Sequence, residues 1–251
     1  GYLSTPWKPV ELKKVIDESL KEFGGVGAPS TWVLSNHDVI RHVTRMAYDE
    51  IPKQGDGIGP NYPQPDEARG QRIGRAATAF MLGLPGSSYL YQGEELGLPE
   101  HTTLESKFRE DPTFFRTNGE RVGRDGCRVP IPWEAKSPAF GFSTTGESWL
   151  PQPAIYREYA RDQQEGVPGS TLELYKSLLH LRKHYDLGLG SLEWAEKYCS
   201  DNSLGYVNNG ILVIANFDGK PIEIPAGEVL VTSQVGLTNQ LEHDQVAWIK
   251  L

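Results

Sequence analysis

Little in this 251-residue sequence points to a covalent staple, a membrane anchor or a polyanionic partner. Its only two cysteines, Cys127 and Cys199, lie far apart. They make no disulfide framework and fit a reducing, cytoplasmic setting, so two separate thiols are expected. No run of about 18 apolar residues occurs, which removes a membrane-spanning helix. No charged-then-apolar signal opens the chain. Positive charge is not in excess. The formal net charge is −8, which argues against nucleic acid or an anionic membrane as the main partner. Repeats and low-complexity tracts are also absent. What remains is 38% hydrophobic and 23% charged, a composition that builds a packed core rather than a disordered chain. The chain opens at Gly1-Tyr2-Leu3 without methionine, as a processed chain or a piece of a longer one would.

Periodicity then divides the chain. "PVELKKVIDESLKEFGG" places Leu12, Val15, Ile16, Leu20 and Phe23 near one helical face, stopped by Gly24-Gly25. "TWVLS" reads as a short buried strand. "DEARGQRIGRAATAFMLGL" reads as a helix capped by Asp66, with Ile73, Ala76, Ala77, Phe80, Met81 and Leu84 as its apolar side. "SSYLY" is a second short strand after Pro85-Gly86. Leu98 to Pro168 is rich in Pro and Gly and has little periodicity. "STLELYKSLLHLRKHY" is a third helix with a capping box from Ser170 to Glu173. Beyond it, "LGYVNN", "ILVIANF", "PIEIP", "EVLVTS" and "VAWIKL" are short β-rich runs separated by turns such as Asn208-Asn209-Gly210. The expected fold is therefore α/β. Residues 1–186 alternate helix and strand like the last third of a (β/α)₈ barrel, with a long insertion after the last strand. Residues 187–251 form a small antiparallel β-sandwich.

The chemistry gathers where the first strand stops. "TWVLSNHD" runs an apolar segment into Ser35, Asn36, His37 and Asp38. In a (β/α)₈ barrel, strand C-terminal ends carry the reacting groups. A plain turn or helix cap is the other reading of the same residues.

"WVLSNHD" followed by "VIRHVTR" resembles the fourth signature region of the α-amylase clan, glycoside hydrolase family 13. "GLPGSSYLYQGEELGLPE", Gly83 to Glu100, resembles the seventh region. "GRDGCRVPIPWE" resembles the Arg-Asp-x-x-Arg-x-Pro-x-x-Trp block of the α-glucosidase and oligo-1,6-glucosidase branch, and "WLPQP" and "VPGSTLELYKSLLHLRK" are similar to that branch too. Three spaced motifs in the right order carry far more information than a lone Asn-His-Asp. The resemblance implies a retaining glycosidase acting on an oligosaccharide or disaccharide, with no cofactor and with no metal ligand assigned in this chain. Such enzymes use a nucleophile and an acid/base around an oxocarbenium-like transition state, and this family adds a third carboxylate. The motif match assigns that third carboxylate to Asp38, with His37 donating to the same sugar. It assigns Arg124 and Asp125 to the blind end of a glucose pocket. Arg128 either takes that task instead of Arg124 or braces the loop. Arg41 either orients a catalytic carboxylate or caps a loop, and Trp133 either stacks on sugar or packs the loop. Glu94 and Glu95 are read as structural, because neighbouring side chains diverge.

The blocks that carry the family's nucleophilic Asp and acid/base Glu do not occur before Thr31. The expectation is thus a C-terminal part of an α-glucosidase, partnered by the N-terminal half of the barrel and inactive without it. A glucosyl-transferring or isomerising relative, and a non-catalytic amylase-like binding subunit, stand as alternatives. His180 and His184 are spaced i, i+4 without a third ligand, which favours a surface role over a metal site. Arg69, Arg72 and Arg75 read as a solvated or interdomain helix face.

Overall fold

Pro9, whose missing N–H costs nothing in a first turn, opens α1 (Pro9–Gly24). Leu12 and Ile16 are buried, whereas Phe23, at the far end of the same stripe, is 43% exposed. The segment after α1 enters β1 (Thr31–Val33), which pairs in parallel with β2 (Ser87–Tyr89), Thr31 opposite Ser87. Trp32 is fully buried in β1, its indole N–H donating to the Pro85 carbonyl and its ring meeting Tyr2 edge-on. Between the strands come α2 (His42–Arg45) and α3 (Glu67–Leu82). Asp66 caps α3, its carboxylate accepting the Arg69 amide at 3.0 Å.

The computed structural model describes residues 1–236 and 238–251, and it divides the chain into two compact units. Gly1–Leu34, Arg72–Tyr89 and Leu174–Leu251 make one; Ser35–Gln71 and Leu90–Glu173 make the other. The β-rich residues 187–251 thus fall in the same unit as α1, β1 and β2.

In the first unit, β3 (Glu193–Trp194), β4 (Ser203–Asn208), β5 (Ile211–Asn216), β9 (Gln245–Lys250) and β7 (Glu228–Thr232) form an antiparallel sheet in the order β3-β4-β5-β9-β7. The β4–β5 turn has two residues, Asn209 (φ 46°) and Gly210 (φ 77°). Positive φ at both is what a tight hairpin with the strands' own twist requires. Every residue of β5 is buried, because the sheet is covered on both faces. Leu212, Ile214, Ala247 and Ile249 pack with Leu241 of β8 (Gln240–Leu241) and Ile222 of β6 (Ile222–Glu223), a separate two-stranded sheet. The other face is tied to α3: Tyr206 donates to the Phe80 carbonyl at 2.6 Å and Trp248 to the Ala79 carbonyl at 2.9 Å. Arg72 pairs with Asp244 and Arg75 donates to the Ser233 carbonyl, so these two of the three helix arginines fasten α3 to the β-rich region.

The second unit contains α2, α4 (Pro112–Arg116), α5 (Tyr156–Tyr159), the start of α3 and the start of α6 (Thr171–His184), joined by long loops and single 3₁₀ turns. Its apolar centre is Leu96, Leu98, Leu104, Val129, Ile131, Leu150 and Tyr156. Half of the expected capping box forms at α6: the Glu173 amide donates to Ser170 Oγ, while the Glu173 carboxylate accepts from the Gly166 amide.

Candidate active site

The polar run after β1 first builds a local turn. The Asn36 side chain accepts the Asp38 amide at 2.8 Å, and Ser35 Oγ accepts the His42 amide at 2.9 Å. These bonds supply the backbone partners that no strand or helix provides there. They leave His37 and Asp38 projecting, with side chains 68% and 48% exposed.

Two arginines from one segment converge on Asp38. Arg124 Nη1 lies 2.6 Å and Arg128 Nη2 3.1 Å from the same oxygen, Oδ1. Arg128 Nε also donates to the His37 carbonyl at 2.8 Å, and His37 Nε2 stands 3.3 Å from Asp38 Oδ2. The structure therefore brings together His37, Asp38 and Arg124, and adds Arg128 on equal terms. Oδ1 is satisfied by guanidinium donors, while among the described residues Oδ2 faces only the imidazole. A hydroxyl-rich ligand would meet a fixed acceptor at Oδ2 and donors around it.

The residue that positions Arg124 is one that sequence reasoning missed. Asp111 Oδ2 accepts from Arg124 Nε at 2.6 Å and from the Arg124 amide at 2.9 Å, while Oδ1 accepts the Thr113 amide at the start of α4. Burial opposes charge on Asp111, but the bonds from Arg124 and Thr113 win and hold its carboxyl well below the usual range. Its bond to Asp111, with burial opposing, raises the already high Arg124 pKa further. The available signal was Asp111-Pro112, an N-cap followed by an N1 proline.

Asp125 and Arg41 do not join the exposed cluster. Asp125 is 3% exposed, and its Oδ2 accepts the amides of Glu110 and Asp111, each at 3.0 Å. Arg41 is 1% exposed, its guanidinium donating to the carbonyls of Gln92 and Cys127 and lying over the Tyr91 ring. Both serve the frame: Asp125 holds the backbone ahead of Asp111, and Arg41 holds the backbone between the two site arginines, its Nε alone left without a partner among the described residues. The Arg41 amide in turn donates to Glu100 at 2.9 Å. Burial pushes the Glu100 carboxyl up to about 7, against the opposing pull of that amide bond and of Arg41, Arg109 and Arg45. Burial, with the Arg109 charge, pushes neighbouring His101 down to about 4. Glu94 and Glu95 lie in a 3₁₀ turn, Glu94–Leu96, rather than on an extended strand-to-loop passage, Glu94 accepting the Tyr91 amide and Glu95 the Gly93 amide. Trp133 stays 42% exposed. Cys127 and Cys199 are free thiols, and burial raises both pKa values. Among the described residues, no group of three or more His, Cys, Asp or Glu is arranged to hold a metal ion, and no helix is long and apolar enough to cross a membrane.

Comparison with known proteins gives the family. The family model for the α-amylase catalytic domain matches residues 2–189. The chain is similar to a probable α-glucosidase of Rhizobium meliloti (strain 1021), 35% identical over 66% of this chain and 26% of that one. It is also similar to an oligo-1,6-glucosidase of Parageobacillus thermoglucosidasius, 28% identical over 93% of this chain and 42% of that one. The chain thus spans well under half the length of these curated relatives. Among solved structures, the α-glucosyl transfer enzyme XgtA superposes with a TM-score of 0.74 at 25% identity, over 99% of this chain and 44% of that one. The guanidinium-clamped Asp38 therefore sits in a chain that belongs to the α-amylase catalytic-domain family.

Proposed function

We propose that this chain is the part of a retaining α-glucosidase that carries the transition-state-stabilising carboxylate. Asp38 accepts hydrogen bonds from the hydroxyls of a terminal glucose and strengthens them as the ring flattens and gains positive charge. His37 donates to the same sugar, and Arg124 and Arg128 fix the carboxylate and close the end of the pocket. Arg41 and Asp125 act from beneath as positioning residues. The observation that carries the reading is the double guanidinium clamp on a single oxygen of Asp38, with the second oxygen beside His37.

In this proposal the nucleophile and the acid/base come from barrel strands that precede the Asn-His-Asp strand, and the chain alone is inactive. The parallel pair β1–β2 supports it. Parallel strands normally lie inside sheets covered by crossover helices, yet this sheet has two strands among the described residues. The (β/α)₈ assignment for residues 1–186 and the separate β domain for 187–251 belong to the same proposal, as does a cytoplasmic location, which the free thiols favour. The substrate is a malto- or isomalto-oligosaccharide or a related disaccharide. The likeness to a glucosyl transfer enzyme favours transfer to a second sugar as the second reading. A non-catalytic binding subunit would have no use for a clamped carboxylate.

The test is Asp38→Asn in the enzyme assembled with its preceding barrel strands, assayed on a chromogenic α-glucoside. Turnover is expected to fall on the order of 10²–10³-fold with KM changed only a few-fold. Turnover near that of the parent would remove Asp38 from this role.

A further inference from the structure

Glu100 is enclosed between the two segments that make the clamp. It is 5% exposed, and its two carboxyl oxygens meet different halves. Oε2 accepts the amide of Arg41 at 2.9 Å, in the segment that carries Asp38. Oε1 packs against Gly126, which lies between Arg124 and Arg128. The approach is so close that a Cβ on Gly126 would stand 2.7 Å from Oε1 and 3.0 Å from the His101 carbonyl oxygen, so only glycine fits. Backbone groups repeat the link on both sides. The Glu100 amide donates to Thr44 Oγ1 at 2.9 Å, and the His101 amide donates to the Gly126 carbonyl at 3.0 Å. One buried acid thus spans two stretches of chain that are far apart in sequence and whose side chains meet at Asp38.

We propose that Glu100 is a positioning residue for the clamp: it sets the spacing between the turn that carries Asp38 and the segment that carries Arg124 and Arg128, and its ionisation resets that spacing. The inference rests on the reading of Asp38 given above and adds regulation by pH to it. The two states of the carboxyl make different demands. Protonated, it is a donor and an acceptor; ionised, it only accepts. The anion faces three cations: Arg41, Arg45 of α2 and Arg109 from the segment before α4. The Cys127 thiol and the Tyr91 and Tyr156 phenols also face it, and burial raises the pKa of all three, which keeps them neutral. His101 follows it in the chain. Burial outweighs the pull of the cations and lifts Glu100 to about 7, so the change of state falls in the neutral range. Arg41 supplies the route to the clamp. Its guanidinium donates to the Cys127 carbonyl at 3.1 Å, and Cys127 adjoins Arg128. A negative charge appearing at Glu100 attracts that guanidinium, and the segment it holds moves with it.

The experiment is nitrogen–proton correlation NMR of the full chain, read on the side-chain Nε–H resonances of Arg124 and Arg128. These groups donate to Asp111 and to the His37 carbonyl, and each signal is identified by its loss in Arg124→Lys or Arg128→Lys. Glu100→Gln keeps a donor and an acceptor but cannot ionise. Its two resonances are expected to coincide with the parent's at pH 5.5 and to depart from them at pH 8.5, the difference growing through about 7. Groups that titrate in both proteins, His37 among them, cancel in that difference. Glu100→Ala is expected to displace both resonances at either pH. If it does not fold, Glu100→Asp, which withdraws the carboxyl by one methylene, is read the same way. Ile214→Ala, in the other unit, is expected to leave both resonances in place. Unmoved resonances in the Ala or Asp variant would make Glu100 a packing residue and overturn the proposal. Equal movement in Ile214→Ala would trace the shift to lost stability and overturn it too. A parent-to-Gln difference that is constant with pH would overturn the part given to ionisation. No sugar enters the measurement, so each of these failures leaves the reading of Asp38 to its own test, the turnover of Asp38→Asn.

Discussion

The sheet β3-β4-β5-β9-β7 and the loop frame around Arg41 and Asp111 are both buried, yet they are held by different forces. In the sheet, Ile214, Ala247, Ile249 and Trp248 are fully buried apolar residues, and polar groups mainly complete the edges. In the loop frame, Arg41, Asp111, Asp125 and Glu100 are almost as buried, and each ends on a backbone amide or carbonyl. A strand pairs its own backbone with its neighbours. A loop that must approach a site cannot, so charged side chains take over that work. Apolar burial is nearly indifferent to pH, whereas buried ions are not, and the two regions separate on that axis.

The largest effect is expected from Ile214→Ala in β5, which empties a fully enclosed site. It should cost about 3–4 kcal/mol in urea unfolding, by the same amount at pH 5 and pH 8. Asp111→Ala should cost about 3 kcal/mol, since it strands Arg124 and uncaps α4. This loss should depend on pH. With its folded pKa depressed below 3.8, Asp111 contributes fully above that value, and its contribution fades as pH falls below it. The variant should therefore approach the parent only in strong acid. A constant difference down to pH 2, roughly two units under the unfolded carboxylate value, would make Asp111 a packing residue instead.

The smallest effect is a change of slope. Glu100, raised from 4.5 to about 7, contributes most below pH 4.5 and progressively less as pH rises through 7. His101, lowered from 6.5 to about 4, contributes most above pH 6.5 and less as pH falls towards 4. Side by side, the two nearly cancel, so the parent's stability should be almost flat from pH 5 to 8. Glu100→Gln keeps an acceptor for the Arg41 amide and removes one side of the balance. Its stability should rise by roughly 2 kcal/mol between pH 5 and 8. A flat profile in that variant would mean that Glu100 and His101 do not oppose each other.

The same contrast explains what could be read before folding. The stripe Ile73, Ala76, Ala77, Phe80, Met81 repeats with the helix, Asp66 precedes it, and Asn209-Gly210 marks the turn, so α3 and the β4–β5 hairpin were legible. The two-residue strands β3 and β8 were not, being too short to alternate. At the site, His37, Asp38 and Arg124 stood out through their motifs. Asp111 did not, and Glu100 closed a motif without its burial being foreseen, because a buried ion answers to partners far away in sequence. Glu100 receives the amide of Arg41 across 59 positions, and no period links the two. Arg41 and Asp125 had motif spacing but not motif exposure, and only the three-dimensional frame shows that they face inward.

The discontinuous make-up of the first unit has a consequence in time. Residues Gly1–Leu34 belong with Leu174–Leu251, so about 140 residues of chain lie between the first of these segments and the last. At a synthesis rate of about 5–20 residues per second, the first segment would leave the ribosome roughly 7–28 s before the last begins to appear. Until then α1 and β1 have only Arg72–Tyr89 of their own unit to pack against, and the sheet that completes the unit is still missing. The Lys13–Asp17 and Lys14–Glu18 pairs, each spaced i, i+4, favour helix in α1 over that interval, and Lys13 and Asp17 later receive Trp194 of β3, over which Lys13 Nζ lies and whose indole N–H donates to Asp17.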